Sequence, residues 1–118
     1  MAKKTRALLP SLREKKRYLA YEVISRHKFS DAMEINKAIF EGAKEFLGTM
    51  GMAKAGIIML NDKFDSEKQR GILRVGNNHV DDVRASFVFI KNVNGKEAMV
   101  KSVGASGILK KAQQKYLN

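Results

Sequence analysis

Arg13, Lys15, Lys16 and Arg17 place four positive charges within five residues, and Lys110 and Lys111 stand side by side near the other end of the chain. Guanidinium and ammonium groups at that density neutralise phosphates and displace counterions from a polyanion. Arg70 and Arg74 are spaced to share one face of a strand and are further candidates. Other constellations carry less. His27 and His79 have no second His or Cys at ligand spacing, and the chain has no cysteine at all. Asp62, Asp65 and Glu67 can in principle approach a divalent ion. Their spacing lacks the glycine and closing glutamate of an EF-hand, and three acids in a polar hairpin more often simply solvate it. Glycines precede expected helix starts at Val75-Gly76-Asn77-Asn78 and Val103-Gly104-Ala105-Ser106-Gly107, where backbone N–H groups can hold phosphate. Neither has the Lys-Ser/Thr of a P-loop, and tight strand-to-helix packing is the simpler role. No catalytic constellation and no metal site is expected of the protein.

The distribution of charge says more than its sum. Net charge is +11. Residues 1–17 hold seven basic residues and one acid, a net of +6, and residues 101–118 hold four lysines and no acid. The intervening residues 18–100 hold twelve basic and eleven acidic residues. A nearly neutral core with two basic ends is the pattern of a polyanion binder, most often a nucleic-acid binder, rather than of a uniformly solvated surface. The longest apolar run, Ile57-Ile58-Met59-Leu60, is far short of the about 20 residues that a bilayer span needs. The N-terminus is basic and lacks an apolar h-region, so no secretory signal is expected. With no cysteine, the expectation is a reducing, cytoplasmic setting and no membrane contact.

These residues need a scaffold. At 118 residues and 44% hydrophobic composition, the chain suffices for one domain. Residues 1–15 form a basic arm, and 16–118 a single folded unit. A first strand over 17–25 follows the arm with no spacer. Alternation puts Leu19, Tyr21 and Val23 on one face and Tyr18, Ala20, Glu22 and Ile24 on the other, both apolar enough for a central strand. The arm then leaves from the middle of the sheet's end. A helix over 31–47 has Ser30 or Asp31 as its cap, with Glu34 three residues after Asp31 as a capping box requires. Ala32, Ile35, Ile39, Ala43, Phe46 and Leu47 form its stripe, and Gly48 and Gly51 end it. Met33, Phe40 and Met50 leave an apolar surplus for some further contact. Strands over 55–61 and 70–76 flank a polar hairpin loop. In the second of them, Leu73 and Val75 share one face and Arg70, Ile72 and Arg74 the other. A helix over 79–91 has Asn78 as cap and Val80, Val83, Phe87 and Ile90 as its stripe. Asn94-Gly95 marks a turn, a strand follows over 98–103, and Gly104 to Gly107 make a tight joint. The last helix, 108–117, docks through Ile108, Leu109, Ala112 and Tyr116 and exposes Lys110, Lys111 and Lys115. The order βαββαβ plus a terminal helix predicts an α+β, ferredoxin-like or RNA-recognition-like sandwich. It has a four-stranded antiparallel sheet with helices on one face. The aromatic positions by which such sheets stack bases are replaced by Ile72-Leu73-Arg74-Val75. Phosphate contact is therefore expected to outweigh stacking.

The stretches Leu9-Pro10-Ser11-Leu12-Arg13-Glu14-Lys15-Lys16-Arg17-Tyr18, Gly71-Ile72-Leu73-Arg74 and Val103 to Ala112 resemble the archaeal ribonuclease P protein component 2 family, whose eukaryotic relatives are nuclear subunits of ribonuclease P and MRP. The resemblance covers nearly the whole chain. It implies a non-catalytic subunit of the ribonucleoprotein that removes the 5′ leader from precursor tRNA, in which the RNA is the catalyst and uses magnesium. The protein itself would bind no cofactor. Implied partners are the ribonuclease P RNA, precursor tRNA, ribonuclease P protein component 3 and the other ribonuclease P proteins, with self-association in a two-plus-two assembly. The expected RNA contacts are Arg13, Lys15, Lys16 and Arg17, then Lys110 and Lys111, then Arg70 and Arg74. Alternatives on the same fold are another RNA binder, such as a ribosome-associated protein, and an enzymatic or metabolite-binding domain.

Overall fold

The computed structural model describes residues 15–117, so Arg13 and all but the last residue of the expected arm lie outside the described residues. Strand β1 spans Lys16–Ile24 and is central, paired antiparallel with β3 (Arg70–Gly76) on one side and β6 (Met99–Ser106) on the other. A short β2 (Ile58–Met59) adds to β3, and the order is β2-β3-β1-β6. The α+β ferredoxin-like sandwich expected from the sequence is present. Central placement follows from composition: Leu19, Ala20, Tyr21 and Val23 are all buried, so both faces of β1 need cover.

The inner face carries Leu19, Tyr21 and Val23 with Leu73 and Val75 of β3. Helix α1 (Ala32–Ala55) lays Ile35, Ile39 and Ala43 over it, and α2 (Val80–Ser86) adds Val80 and Val83. Phe29 and Val93, fully buried, complete this core from loop and hairpin positions outside the periodic segments. Burial at this face pushes the Tyr21 phenol up from its ordinary value, so the hydroxyl stays protonated.

Several boundaries differ from the expectation. Asp31 caps α1 through a hydrogen bond accepted from the Met33 N–H at 2.9 Å. The Glu34 carboxylate accepts from the Asn94 amide instead of closing a capping box. Gly48 does leave helical geometry, with φ 75° and ψ 176°, but the helix resumes and ends only at Gly56 in the left-handed region. Residue 55 is therefore the buried end of the helix, and the second strand shrinks to two residues before a 3-10 turn at Asn61–Lys63. Phe46, placed on the buried stripe from periodicity, is exposed and packs on Phe89 with ring centroids 5.7 Å apart. The second helix is broken into a 3-10 turn (Asn77–His79), α2, and a second 3-10 turn (Phe87–Phe89), and Asn78 does not cap it. Asn94 and Gly95 both have positive φ, as a tight two-residue turn needs, and join β4 (Asn92–Val93) to β5 (Lys96–Glu97).

The largest correction concerns the C-terminus. Gly104, Ala105 and Ser106 do not form a joint; they continue β6. The last helix, α3 (Leu109–Ala112), runs on as a π-helical turn (Gln113–Leu117). It packs on the outer face of the sheet, opposite to α1, where Ala112 and Leu117 cover Ala20 and Ile72. Ile108 is 51% exposed and does not dock; Leu109, Ala112, Tyr116 and Leu117 do. Gly104 is required by this docking, because a Cβ there would overlap the Tyr116 ring, within 2.5 Å of Cε1. Gly104→Ala is expected to lower stability by about 1–3 kcal/mol, the usual range for overpacking. In urea melts, Gly104→Ala combined with Tyr116→Ala should cost less than the two changes summed. Strict additivity would mean that the ring does not rest on Gly104.

Candidate nucleic-acid interface

Antiparallel pairing of the first and last strands brings Lys15, Lys16 and Arg17 beside the start of the last helix, which carries Lys110 and Lys111. Tyr18 of β1 lies opposite Ser106 of β6, so β1 begins where β6 ends. A groove of about 580 Å³ opens at this end of the sheet, lined by Lys15, Lys16, Arg17, Tyr18, Asn77 and Gly107. The Asn77 N–H donates to the Lys15 carbonyl at 2.7 Å and ties the base of the arm to the end of β3. Helix α3 starts two residues beyond Gly107, and Lys110 and Lys111 on it are both exposed. Lys15 and Lys16 are exposed as well.

Arg74 joins the same end from β3, directly opposite Tyr18. Arg17 and Arg74 are both half-buried, and in each the Nε is buried with no hydrogen-bond partner. A buried donor without an acceptor costs about 1–3 kcal/mol, and among the described residues neither Nε finds one. Among the described residues, none of Lys15, Lys16, Arg17, Arg74, Lys110 and Lys111 forms an ion pair.

Arg70 is placed differently. Four residues of strand, roughly 13 Å, separate it from Arg74. Its Nη1 donates to the Tyr116 carbonyl at 2.9 Å, and its Nη2 lies 3.7 Å from Glu22 Oε1. The same carboxylate oxygen has Lys101 Nζ at 3.6 Å. The Lys68 ammonium donates to the Leu117 carbonyl at 2.7 Å. Arg70 and Lys68 thus hold the last turn of the chain on the sheet. Of the basic residues read from the sequence, the structure gathers Lys15, Lys16, Arg17, Arg74, Lys110 and Lys111 and leaves Arg70 apart. Asn77, Ser106 and Gly107 lie in the two glycine stretches that the sequence offers as possible phosphate-holding joints, but only strand order shows that they sit beside the arm.

The opposite end of the sheet has another character. Ile24, Val88 and Met99 are exposed there and line a groove of about 830 Å³, rimmed by Arg26, His27, Lys91 and Lys96. Among the described residues no three of His, Cys, Asp and Glu gather where they could share a metal ion, and no helix is long and apolar enough to cross a membrane.

The molecule is thus a small ferredoxin-like sandwich with a cluster of basic groups at one end of its sheet. Comparison with known proteins narrows this class. A profile of the Rpp14/Pop5 family matches residues 17–117, and the chain belongs to that family. It is 40% identical to ribonuclease P protein component 2 of Pyrococcus furiosus over 118 residues, all of this chain and 96% of that protein. It is 37% identical to ribonuclease P protein component 2 of Methanosarcina barkeri over 110 residues, covering 93% of this chain and 78% of that one. Among solved structures, a chain in the cryo-EM structure of yeast ribonuclease MRP superposes with a TM-score of 0.61 at 15% identity, over 80% of this chain and 75% of that one. That likeness establishes a shared fold.

Proposed function

We propose that this chain is a protein subunit of ribonuclease P, the ribonucleoprotein that removes the 5′ leader from precursor tRNA. It binds and supports the catalytic RNA and supplies no reacting group. The observation that carries this reading is the convergence of Lys15, Lys16, Arg17, Arg74, Lys110 and Lys111 at one end of the sheet, where among the described residues none of the six forms an ion pair. Close identity to named ribonuclease P components supports it. Phosphate oxygens are the ligands such a surface takes, and their neutralisation lets RNA segments approach one another. The phosphodiester chemistry then belongs to the RNA and its magnesium.

In this reading the apolar end of the sheet takes protein partners. Exposed Met99 there, and the nearby exposed pair Phe89 and Phe46, are residue types enriched in the cores of protein interfaces, and Val88 and Ile24 add apolar area. Ribonuclease P protein component 3, and a second copy of this chain in a two-plus-two assembly, are the proposed occupants. The test is reconstitution. The chain is added with component 3 to the ribonuclease P RNA of the same organism, and leader removal from precursor tRNA is followed at moderate magnesium. The expected result is cleavage where the RNA alone is slow. No gain would favour another RNA-binding role, and cleavage without the RNA would make the protein a nuclease.

A further inference from the structure

The docking of α3 leaves one row of the outer sheet face only partly covered, with Tyr18, Arg74 and Ser106 half-buried and Ile58 exposed. Strand register puts Ile58, Arg74, Tyr18 and Ser106 side by side across β2, β3, β1 and β6. The next row inward, Ile72, Ala20 and Gly104, is the one that Ala112, Leu117 and Tyr116 cover. The half-covered row is therefore a shelf at the basic end, bounded on one side by the start of α3. Lys16, two residues before Tyr18, is on the same face.

Resting on the reading of the chain as an RNA-binding subunit, we propose that this shelf binds one unpaired nucleotide, its base stacked on Tyr18 and its phosphate held by Arg74 and Lys16. Three features favour an unpaired nucleotide over a further length of duplex backbone. Cross-strand neighbours sit about 5 Å apart, so Tyr18 and Arg74 offer adjoining flat groups, and both an aromatic ring and a guanidinium plane accept a base. The Ser106 hydroxyl accepts from the Ile108 N–H at 3.2 Å, and as its own proton has no acceptor among the described residues, it can read a base edge. The groove of about 580 Å³ that adjoins the shelf, lined by Lys16 and Tyr18 but not by Arg74 or Ser106, has the size of a small-ligand site. Duplex RNA keeps its bases stacked inside the helix, out of reach of such a shelf.

The test uses the full-length chain with two fluorescent probes, a single-stranded decauridine and a 12-base-pair RNA duplex, each titrated over a range of salt. Tyr18→Ala is expected to weaken binding of the single strand roughly tenfold, the order found for loss of one base–aromatic stack, with its salt slope unchanged. Duplex binding should stay within about twofold of the wild type. Because Tyr18 also packs beside Leu109 and Tyr116, Tyr18→Leu serves as a second variant that keeps apolar cover but has no ring. It should lose the single strand to the same degree, whereas Tyr18→Phe should retain it. Arg74→Gln should reduce the single-strand salt slope by about 0.7. Equal affinity of Tyr18→Leu and wild type for the single strand, or a parallel loss on both probes, would overturn the nucleotide site. If Lys15→Gln with Lys16→Gln still weakened both probes in that case, the RNA-binding reading would stand without it. A wild-type chain that bound neither probe would overturn both.

Discussion

Replacing Lys15, Lys16, Lys110 and Lys111 together by glutamine is expected to weaken binding to ribonuclease P RNA by about three orders of magnitude at physiological salt. The figure follows from counterion release. Each lysine lost from a phosphate removes about 0.9 from the slope of log K against log salt, so four remove roughly 3.6. The term vanishes near 1 M salt, and at about 0.15 M each unit of slope is worth roughly 0.8 of a decade. The four side chains are exposed and form no internal ion pair among the described residues, so the fold has no stake in their charge. Glutamine keeps the length of the stem. Lys37→Gln with Lys44→Gln, on the exposed side of α1, is the control for net charge and should leave the slope nearly unchanged. A quadruple variant with the wild-type slope would remove the basic end from the interface.

Leu19→Ala is expected to have the largest effect on stability. Leu19 is fully buried at the centre of the central strand, opposite Leu73 on one side and Ala105 on the other. It belongs to the same core as Ile35 and Ile39 of α1. Truncating a leucine in such a site costs about 2–5 kcal/mol, because strands paired on both sides cannot close over the cavity. Against a total of roughly 5–15 kcal/mol this is a large fraction, and thermal melts should shift down by roughly 10–30 °C. Ile58→Ala, at the exposed edge, should cost under about 1 kcal/mol. Below its melting point the Leu19→Ala protein should still bind RNA, since the basic end lies on other residues. Loss of RNA binding by a folded Leu19→Ala protein would show that the core and the basic end are coupled.

Legibility of the fold tracked the strength of local periodicity. β1 and β3 were readable to within a residue, because period-two alternation separates Leu19, Tyr21 and Val23 from Tyr18 and Ala20, and Leu73 and Val75 from Arg70, Ile72 and Arg74. A cap at Ser30 or Asp31 was readable because the chemistry is local, and the structure selects Asp31. Long-range contacts overrode local signals elsewhere. Gly48 is a natural helix stop, yet α1 resumes because residues up to Ala55, fully buried, find cover beyond it. Gly104 and Ser106 are turn formers by type, but here glycine is in a strand because the Tyr116 ring occupies the space of its Cβ. The terminal helix has an apolar side that fits either face of a sheet, and nothing in its own residues says which. For the candidate site, the basic clusters were visible as composition. Their separation into a converging group and a structural Arg70 was not, because that depends on where the last turn's carbonyls fall.

The most direct measurement is recovery of the tagged full-length chain from its own cells, with sequencing of the RNA that accompanies it and an assay of the eluate on precursor tRNA. The account predicts strong enrichment of a single non-coding RNA, ribonuclease P protein component 3 among the proteins, and leader removal that is lost on ribonuclease treatment. An eluate dominated by ribosomal RNA, or one that cleaves precursor tRNA after its RNA has been destroyed, would contradict it.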